Sequence, residues 1–151
     1  MNDLATIKDY VVGKGFPELA DIVIHTDYRQ IKDAYFDLTR NGRKDYLIQV
    51  DTTLRHAPRS VVIGGIAHEI AHIVKEIKMN GLLVLIDRFL YDFSWYETRD
   101  ERNADLIVVQ RGLGQKLLSF LRYANKRREE YTEADGLTVT ELEKILSKAS
   151  K

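Results

Sequence analysis

The chain has 151 residues, which suits one domain with a hydrophobic core and leaves little room for a second domain. Its 23 basic and 23 acidic side chains balance, so overall charge does not indicate nucleic acid or an anionic membrane as a partner. There is no cysteine, which excludes disulfides, thiolate metal ligands and thiol nucleophiles and suits a reducing compartment.

The N-terminal third predicts one helix followed by a small sheet. Apolar residues recur at helical spacing over 2–12, and we expect the glycines that follow to end this helix. Short runs rich in β-branched and aromatic residues predict strands over 20–26, 34–39 and 45–51. The Asn41-Gly42 pair between the last two runs predicts a hairpin with a type I′ turn.

From Pro58 onward the pattern is helical, and it predicts helices near 58–78, 82–93, 96–111, 113–128 and 138–149. The last of these helices begins with a capping-box pattern, Thr138 to Glu141, and carries one apolar stripe that must pack on something. No apolar run approaches the ~20 residues that a membrane-spanning helix needs. We therefore expect a cytoplasmic protein without a membrane span.

The helix predicted near 58–78 contains the stretch His68-Glu69-Ile70-Ala71-His72. Residues four apart share one helical face, about 6 Å apart at Cβ, so both histidines can reach one ion. Zinc accepts two neutral imidazoles and a carboxylate and leaves a fourth position for water. Glu69 projects about 100° from His68 and can serve as the general base. The alternative is an exposed helix with two incidental histidines.

A third ligand must come from a carboxylate, because no histidine follows His72. The segment 96–114 offers several acids, and Glu101 and Asp105 are four apart on one face. That spacing suits a ligand followed by a carboxylate that holds the second N–H of a histidine. Glu97 and Glu101 have the same spacing, so a ligand one turn earlier remains open, although we prefer Glu101. A solvated, charged helix start is the plain alternative for all these acids.

Gly64 and Gly65 precede His68 by one turn and share its face. Glycine costs roughly 1 kcal/mol relative to alanine inside a helix, so a pair of them needs a reason. They either clear space for a substrate backbone in front of a metal or permit close packing of another helix.

HEIAH, followed by ERNAD and GLGQKLLSFLRYA, resembles the gluzincin metallopeptidases, most closely the CAAX-prenyl-protease and HtpX group. A chain of this size is more similar to the minigluzincins, the minimal versions of that catalytic domain. The resemblance implies that His68, His72 and Glu101 bind zinc, that Glu69 is the catalytic base, and that Asp105 supports a ligand. Relatives use a downstream histidine to stabilise the oxyanion. Here that role would pass to Tyr123, Arg122 or Tyr131.

The expected fold class is α+β in a single domain over 1–151. It is mostly helical, with a small three-stranded sheet packed on an active-site helix and a glutamate helix. Minigluzincins are held inactive by their C-terminal segments, so the resemblance implies that 129–151 is a regulatory segment of a latent enzyme. Its acids would then be directed at the zinc: Glu129, Glu130, Glu133 and Asp135. The alternative is that the last helix completes the core and the charged stretch before it is a solvated linker.

The function expected from these features is a Zn²⁺-dependent endopeptidase acting on a peptide or protein, without nucleic acid as a partner. Its substrate would add as a strand to an exposed sheet edge, most plausibly at 45–51. Assembly with further copies of the chain is left open. Two alternatives stand beside this function. One is a repressor-cleaving peptidase of the ImmA/IrrE type, and the other is a non-catalytic binding module stabilised by zinc.

Overall fold

The computed structural model describes residues 1–79, 94–127 and 136–149, without the side chains of 94–96. Within these ranges it has the predicted α+β architecture, with five α-helices and one three-stranded sheet. The helices are α1 (Leu4–Gly15), α2 (Arg59–Lys78), α3 (Ser94–Gln110), α4 (Gly114–Asn125) and α5 (Val139–Ala149). The strands are β1 (Val23–Arg29), β2 (Phe36–Gly42) and β3 (Asp45–Asp51). The helix predicted over 82–93 lies outside the described residues.

Helix α1 begins at a side-chain cap, continues through Gly13 and ends at Gly15, the second of the two glycines that were expected to stop it. The amides of Ala5 and Thr6 donate to Asp3 Oδ1 at 3.1 and 3.4 Å, which satisfies two N–H groups of the first turn. The helix ends at Gly15, where a Cβ would lie 3.0 Å from Leu113 Cδ1. As the last residue of the helix, Gly15 allows Leu113 to approach closely. The prediction that the helix stops at residue 12 is wrong.

The sheet has the order β1-β3-β2, with β3 parallel to β1 and antiparallel to β2. The predicted hairpin is confirmed, but its turn is displaced. Gly42 pairs with Asp45 after a register irregularity at Arg40/Gly42, so the turn residues are 43 and 44. A type I′ turn needs positive φ at both central positions, and among the described residues only Asp33 and Gly112 have positive φ. The predicted turn type is therefore wrong.

Strand β3 is the central strand, and its backbone pairs on both sides. The proposed role of 45–51 as an exposed edge for substrate is therefore wrong, because the hydrogen-bonding groups of that strand are already used within the sheet. The edges within the described ranges are β1 and β2. Strand β1 begins and ends three residues later than the predicted 20–26.

Helix α2 is buried along most of its length and packs between the sheet and α4. A Cβ at Gly65 would overlap the ring of Phe36 on β2. A Cβ at Gly64 would overlap the backbone of Lys116 and lie 2.9 Å from Phe120 Cβ. Both glycines thus serve close packing, and the alternative that they clear space for a substrate backbone is wrong.

The chain reverses sharply between α3 and α4 at Gly112, which has a φ of +76°. The amide of Gly112 donates to the carbonyl of Val109 at 3.0 Å, and the amide of Leu113 donates to that of Val108 at 3.1 Å. This is a Schellman motif, in which a glycine takes the left-handed position and the flanking apolar residues pack together. It directs both α3 and α4 back onto α2.

Helix α5 is part of the core. The predicted capping box is confirmed, since Glu141 N donates to Thr138 Oγ1 at 3.2 Å and Thr138 N donates to Glu141 Oε2 at 2.9 Å. Leu142 is fully buried, and a Cβ at Gly114 on α4 would lie 2.7 Å from Leu146.

In the described ranges, no helix has the length and apolar character needed to cross a membrane.

Candidate metal centre

Helix α2 brings the imidazoles of His68 and His72 together on one face. Their ring centroids are 4.9 Å apart, and their Nε2 atoms are 3.2 Å apart. The two side chains are only 12% and 16% exposed. The i, i+4 spacing sets this proximity, and burial of the surrounding helix limits the rotamers available to either ring.

Helix α3 places Glu101 opposite the two histidines. Its Oε2 lies 2.8 Å from His68 Nε2 and its Oε1 lies 3.4 Å from His72 Nε2. A tetrahedral ion with bonds of 2.0–2.1 Å keeps its ligand atoms roughly 3.3 Å apart, close to these separations. The group His68, His72 and Glu101 could therefore hold a metal ion. Glu97, the alternative ligand, is half-buried one turn earlier and is not in this group.

The carboxylate of Asp105 lies behind His68. Its Oδ1 is 2.7 Å from His68 Nδ1, and its side chain is 1% exposed. A carboxylate only accepts hydrogen bonds when ionised, so His68 donates through Nδ1 and its Nε2 is directed toward the group. This is the position in which a carboxylate fixes the tautomer and orientation of a metal-binding histidine.

Asp100, for which no role was predicted, lies beside the outer nitrogen of His72. Its Oδ2 lies 3.3 Å from His72 Nδ1, its other oxygen contacts Lys75 Nζ, and its side chain is 5% exposed. On α3, residues 100 and 105 lie about 100° and 40° to either side of Glu101, so each reaches a different histidine. That angular relation was the signal available in the sequence.

Without a metal, a proton on His68 offsets negative charge of the neighbouring carboxylates. Burial disfavours the charged imidazole, but hydrogen bonds to Asp105 and Glu101 outweigh it and raise the pKa of His68 well above its ordinary value. Burial also opposes ionisation of Glu101, but hydrogen bonds from His68 and His72 hold the pKa of its carboxyl far below the usual range. A bound cation would take the place of this proton.

Of the remaining predicted site residues that the structure describes, Glu69 is next to His68 in the sequence, whereas Arg122 and Tyr123 have other contacts. Glu69 follows His68 on α2 and is half-buried. Arg122 donates to Glu143 on α5 at 2.6 Å. The ring of Tyr123 packs against Tyr35 and beneath Arg127. These contacts do not link Arg122 or Tyr123 to the histidines. Residue 131, the third oxyanion candidate, lies outside the described residues.

Comparison with known proteins assigns no family to the chain. No protein-family model matches the sequence, and no curated protein or solved structure is significantly similar to it. The centre is therefore defined by the chain's own residues: two imidazoles from α2, one carboxylate from α3, and an aspartate behind each imidazole.

Proposed function

We propose that the protein is a Zn²⁺-dependent endopeptidase of the gluzincin type, with His68, His72 and Glu101 as the metal ligands. The supporting observation is that both Nε2 atoms and the Glu101 carboxylate converge while each Nδ1 contacts a buried aspartate. Two histidines and one carboxylate form a set typical of catalytic zinc, because one coordination position stays open. Structural zinc sites usually have four protein ligands instead.

When held by His68, His72 and Glu101, zinc would act as a Lewis acid on the scissile carbonyl and would lower the pKa of a water molecule. Glu69 accepts the proton of the attacking water and returns it to the leaving amine. Asp105 accepts the Nδ1–H of His68, and Asp100 Oδ2 lies 3.3 Å from Nδ1 of His72, which would keep the Nε2 lone pairs directed at the cation.

We place the substrate beside β2 instead of β3. Within the described ranges β2 pairs with β3 alone, so its other edge is the one available for strand addition. It also runs along α2, since Phe36 packs against Gly65 near one end and Arg40 pairs with Glu76 near the other. A peptide added at this edge would pass the part of α2 that carries the two histidines.

Latency through 129–151 stays a prediction. The four acids proposed to reach the zinc lie outside the described residues. The described end of that segment buries Leu142 in the core, which favours a structural role for α5. The absence of cysteine is compatible with the cytoplasm, which also stays a prediction. A repressor-cleaving peptidase would use the same metal group on one particular substrate.

The proposal is tested by hydrolysis of an unstructured protein by zinc-loaded enzyme. We expect hydrolysis that a chelator abolishes and zinc restores. Glu69→Gln should keep its zinc and lose about 10²–10⁴-fold in rate, because it removes only the base. His68→Ala is the matched control and should lose the metal as well. A wild-type chain that binds zinc but hydrolyses nothing would favour the zinc-stabilised binding module.

A further inference from the structure

The carboxylate of Asp105 joins the metal centre to the C-terminal segment. Its Oδ1 accepts from His68 Nδ1 and its Oδ2 accepts from the backbone amide of Leu137, both at 2.7 Å. A hydrogen bond fixes a carboxylate oxygen in direction as well as distance, so the two donors together set the plane of this carboxylate. The orientation of His68 thus depends on a residue 69 positions away in the sequence.

The segment that supplies this amide is held closely against α3. Gly136 lies against Asp105, since a Cβ there would overlap Oδ2, and the Leu137 side chain is 5% exposed. Arg102, next to Glu101, forms two hydrogen bonds of 3.0 Å with Glu141 in the first turn of α5. An exposed pair of this kind adds little stability, but its bidentate geometry fixes the position of that turn relative to α3.

We propose that residues 136–141 are a positioning element for the metal centre, which acts on His68 through the Leu137 amide and Asp105. This inference rests on the proposed metal site. Docking of the segment and metal affinity are then coupled. Because such coupling is reciprocal, bound metal also strengthens docking of the segment. The segment would therefore favour metal binding, whereas an inhibitory C-terminal segment would block access to the metal.

Gly136→Ala is the most direct variant, because its methyl group meets Asp105 Oδ2 and displaces the amide from it. Glu141→Gln is a milder variant, because it weakens the pair with Arg102, while its amide oxygen can still accept from the Thr138 amide in the capping box. Glu143→Gln is the matched control. It removes a second pair between α5 and its neighbours, with Arg122 on α4, that does not involve α3.

The first readout needs no metal. In metal-free wild-type protein, the His68 Nδ1 proton should give a downfield NMR signal protected from solvent exchange, and Asp105→Ala identifies it by removing it. We expect Gly136→Ala to broaden or abolish this signal, Glu141→Gln to weaken it, and Glu143→Gln to leave it unchanged. An unchanged signal in folded Gly136→Ala would overturn the inference, whatever the protein binds. If Gly136→Ala does not fold, an unchanged signal in Glu141→Gln would overturn the inference instead.

The second readout is zinc affinity measured against a competing chelator in the full chain. We expect Gly136→Ala to lose about 10-fold, as is typical when the partner of a ligating histidine is disturbed. In an Asp105→Ala background the same substitution should cause little further loss, because the connection is already cut. A full loss in that background would mean that the segment acts by another route. A wild-type chain that binds no zinc would refute the proposed function, and the NMR result would still decide this inference.

Discussion

Asp100 and Asp105 flank Glu101 on α3, and their carboxylates contact the Nδ1 atoms of different histidines. One helix thus supplies a carboxylate facing the Nε2 atoms and a buried acceptor behind each imidazole. Both aspartates are at most 5% exposed, and burying a carboxylate is costly unless it is paired. Two buried carboxylates and one partly buried carboxylate thus surround the two imidazoles.

Asp100→Asn should weaken zinc binding although Asp100 is not in the ligand group. The amide keeps the size of the side chain and removes the charge that holds His72 Nδ1–H and Lys75. Loss of such a partner typically costs ~10–100-fold in metal affinity. Chelator competition measures the effect. Glu97→Gln, an acid of the same helix outside the group, should change affinity little. Equal effects of the two substitutions would mean that only the overall charge of α3 matters.

Glu101→Ala should cost far more zinc affinity than Glu97→Ala. Glu101 lies 2.8 Å from His68 Nε2, and Glu97 is one turn away from the group. Removing a ligand deletes a bond to the metal, whereas removing a nearby charge changes only the field at the site. Titration of both metal-free variants with zinc gives the comparison. Equal or reversed losses would place the metal one turn toward the N-terminus of α3.

The stability of the metal-free protein should fall as pH rises above about 6.5. The folded pKa of His68 lies well above its unfolded value of about 6.5, so its stabilising contribution is full below that value and is lost as pH rises through the folded pKa. The lowered pKa of Glu101 acts only in acid, so its contribution is constant over this range.

With zinc bound, the cation replaces the His68 proton, so the increase in Tm caused by zinc should grow with pH. Thermal melts with zinc and with chelator across this range measure both effects. Asp105→Ala should flatten the slope of the metal-free protein, because it removes a hydrogen bond that raises the His68 pKa. A metal-free Tm that rises over the same range would contradict the assignment.

Gly64→Ala should destabilise the fold by about 1–3 kcal/mol, because the added methyl group would overlap the backbone of Lys116 and force α4 away from α2. Gly13→Ala is the matched control. A Cβ there meets nothing within 4 Å, and removing glycine from a helix gains up to about 1 kcal/mol. Denaturant unfolding of both variants tests the pair. A neutral Gly64→Ala would mean that α2 and α4 are not in close contact.

Local patterns in the sequence were sufficient to predict most helices, the hairpin and the capping box at Thr138. Each of these features is determined by residues within one or two turns of it in the sequence. The sheet order was not predictable in this way. Strand β1 pairs in parallel with β3, although β2 lies between them in the sequence. The end of α1 was missed for a related reason. Glycine is unfavourable in a helix by propensity, but Gly15 lies in a tight contact with Leu113, where a Cβ would be only 3.0 Å from Cδ1.

The same distinction applies to the metal centre. Spacing along α2 alone places His68 and His72 on one face, and spacing along α3 relates Glu101 to Asp105. Which acid of the Glu97–Asp105 run faces α2 depends on how the two helices pack, so the sequence favoured Glu101 but left Glu97 open as the ligand. The sequence relates Asp100 to Glu101 only through helical spacing, and its burial and 3.3 Å contact with His72 then distinguish it from a solvated charge.

The zinc content of the purified 151-residue chain, measured after removal of metal and reloading at neutral pH, tests the central claim most directly. We predict about one tightly bound zinc per chain, released on acidification as protons return to the histidines. Parallel His68→Ala protein should retain almost none. Wild-type protein that binds no zinc after reloading, or that binds it equally well without His68, would contradict the assignment of His68, His72 and Glu101 as a metal centre.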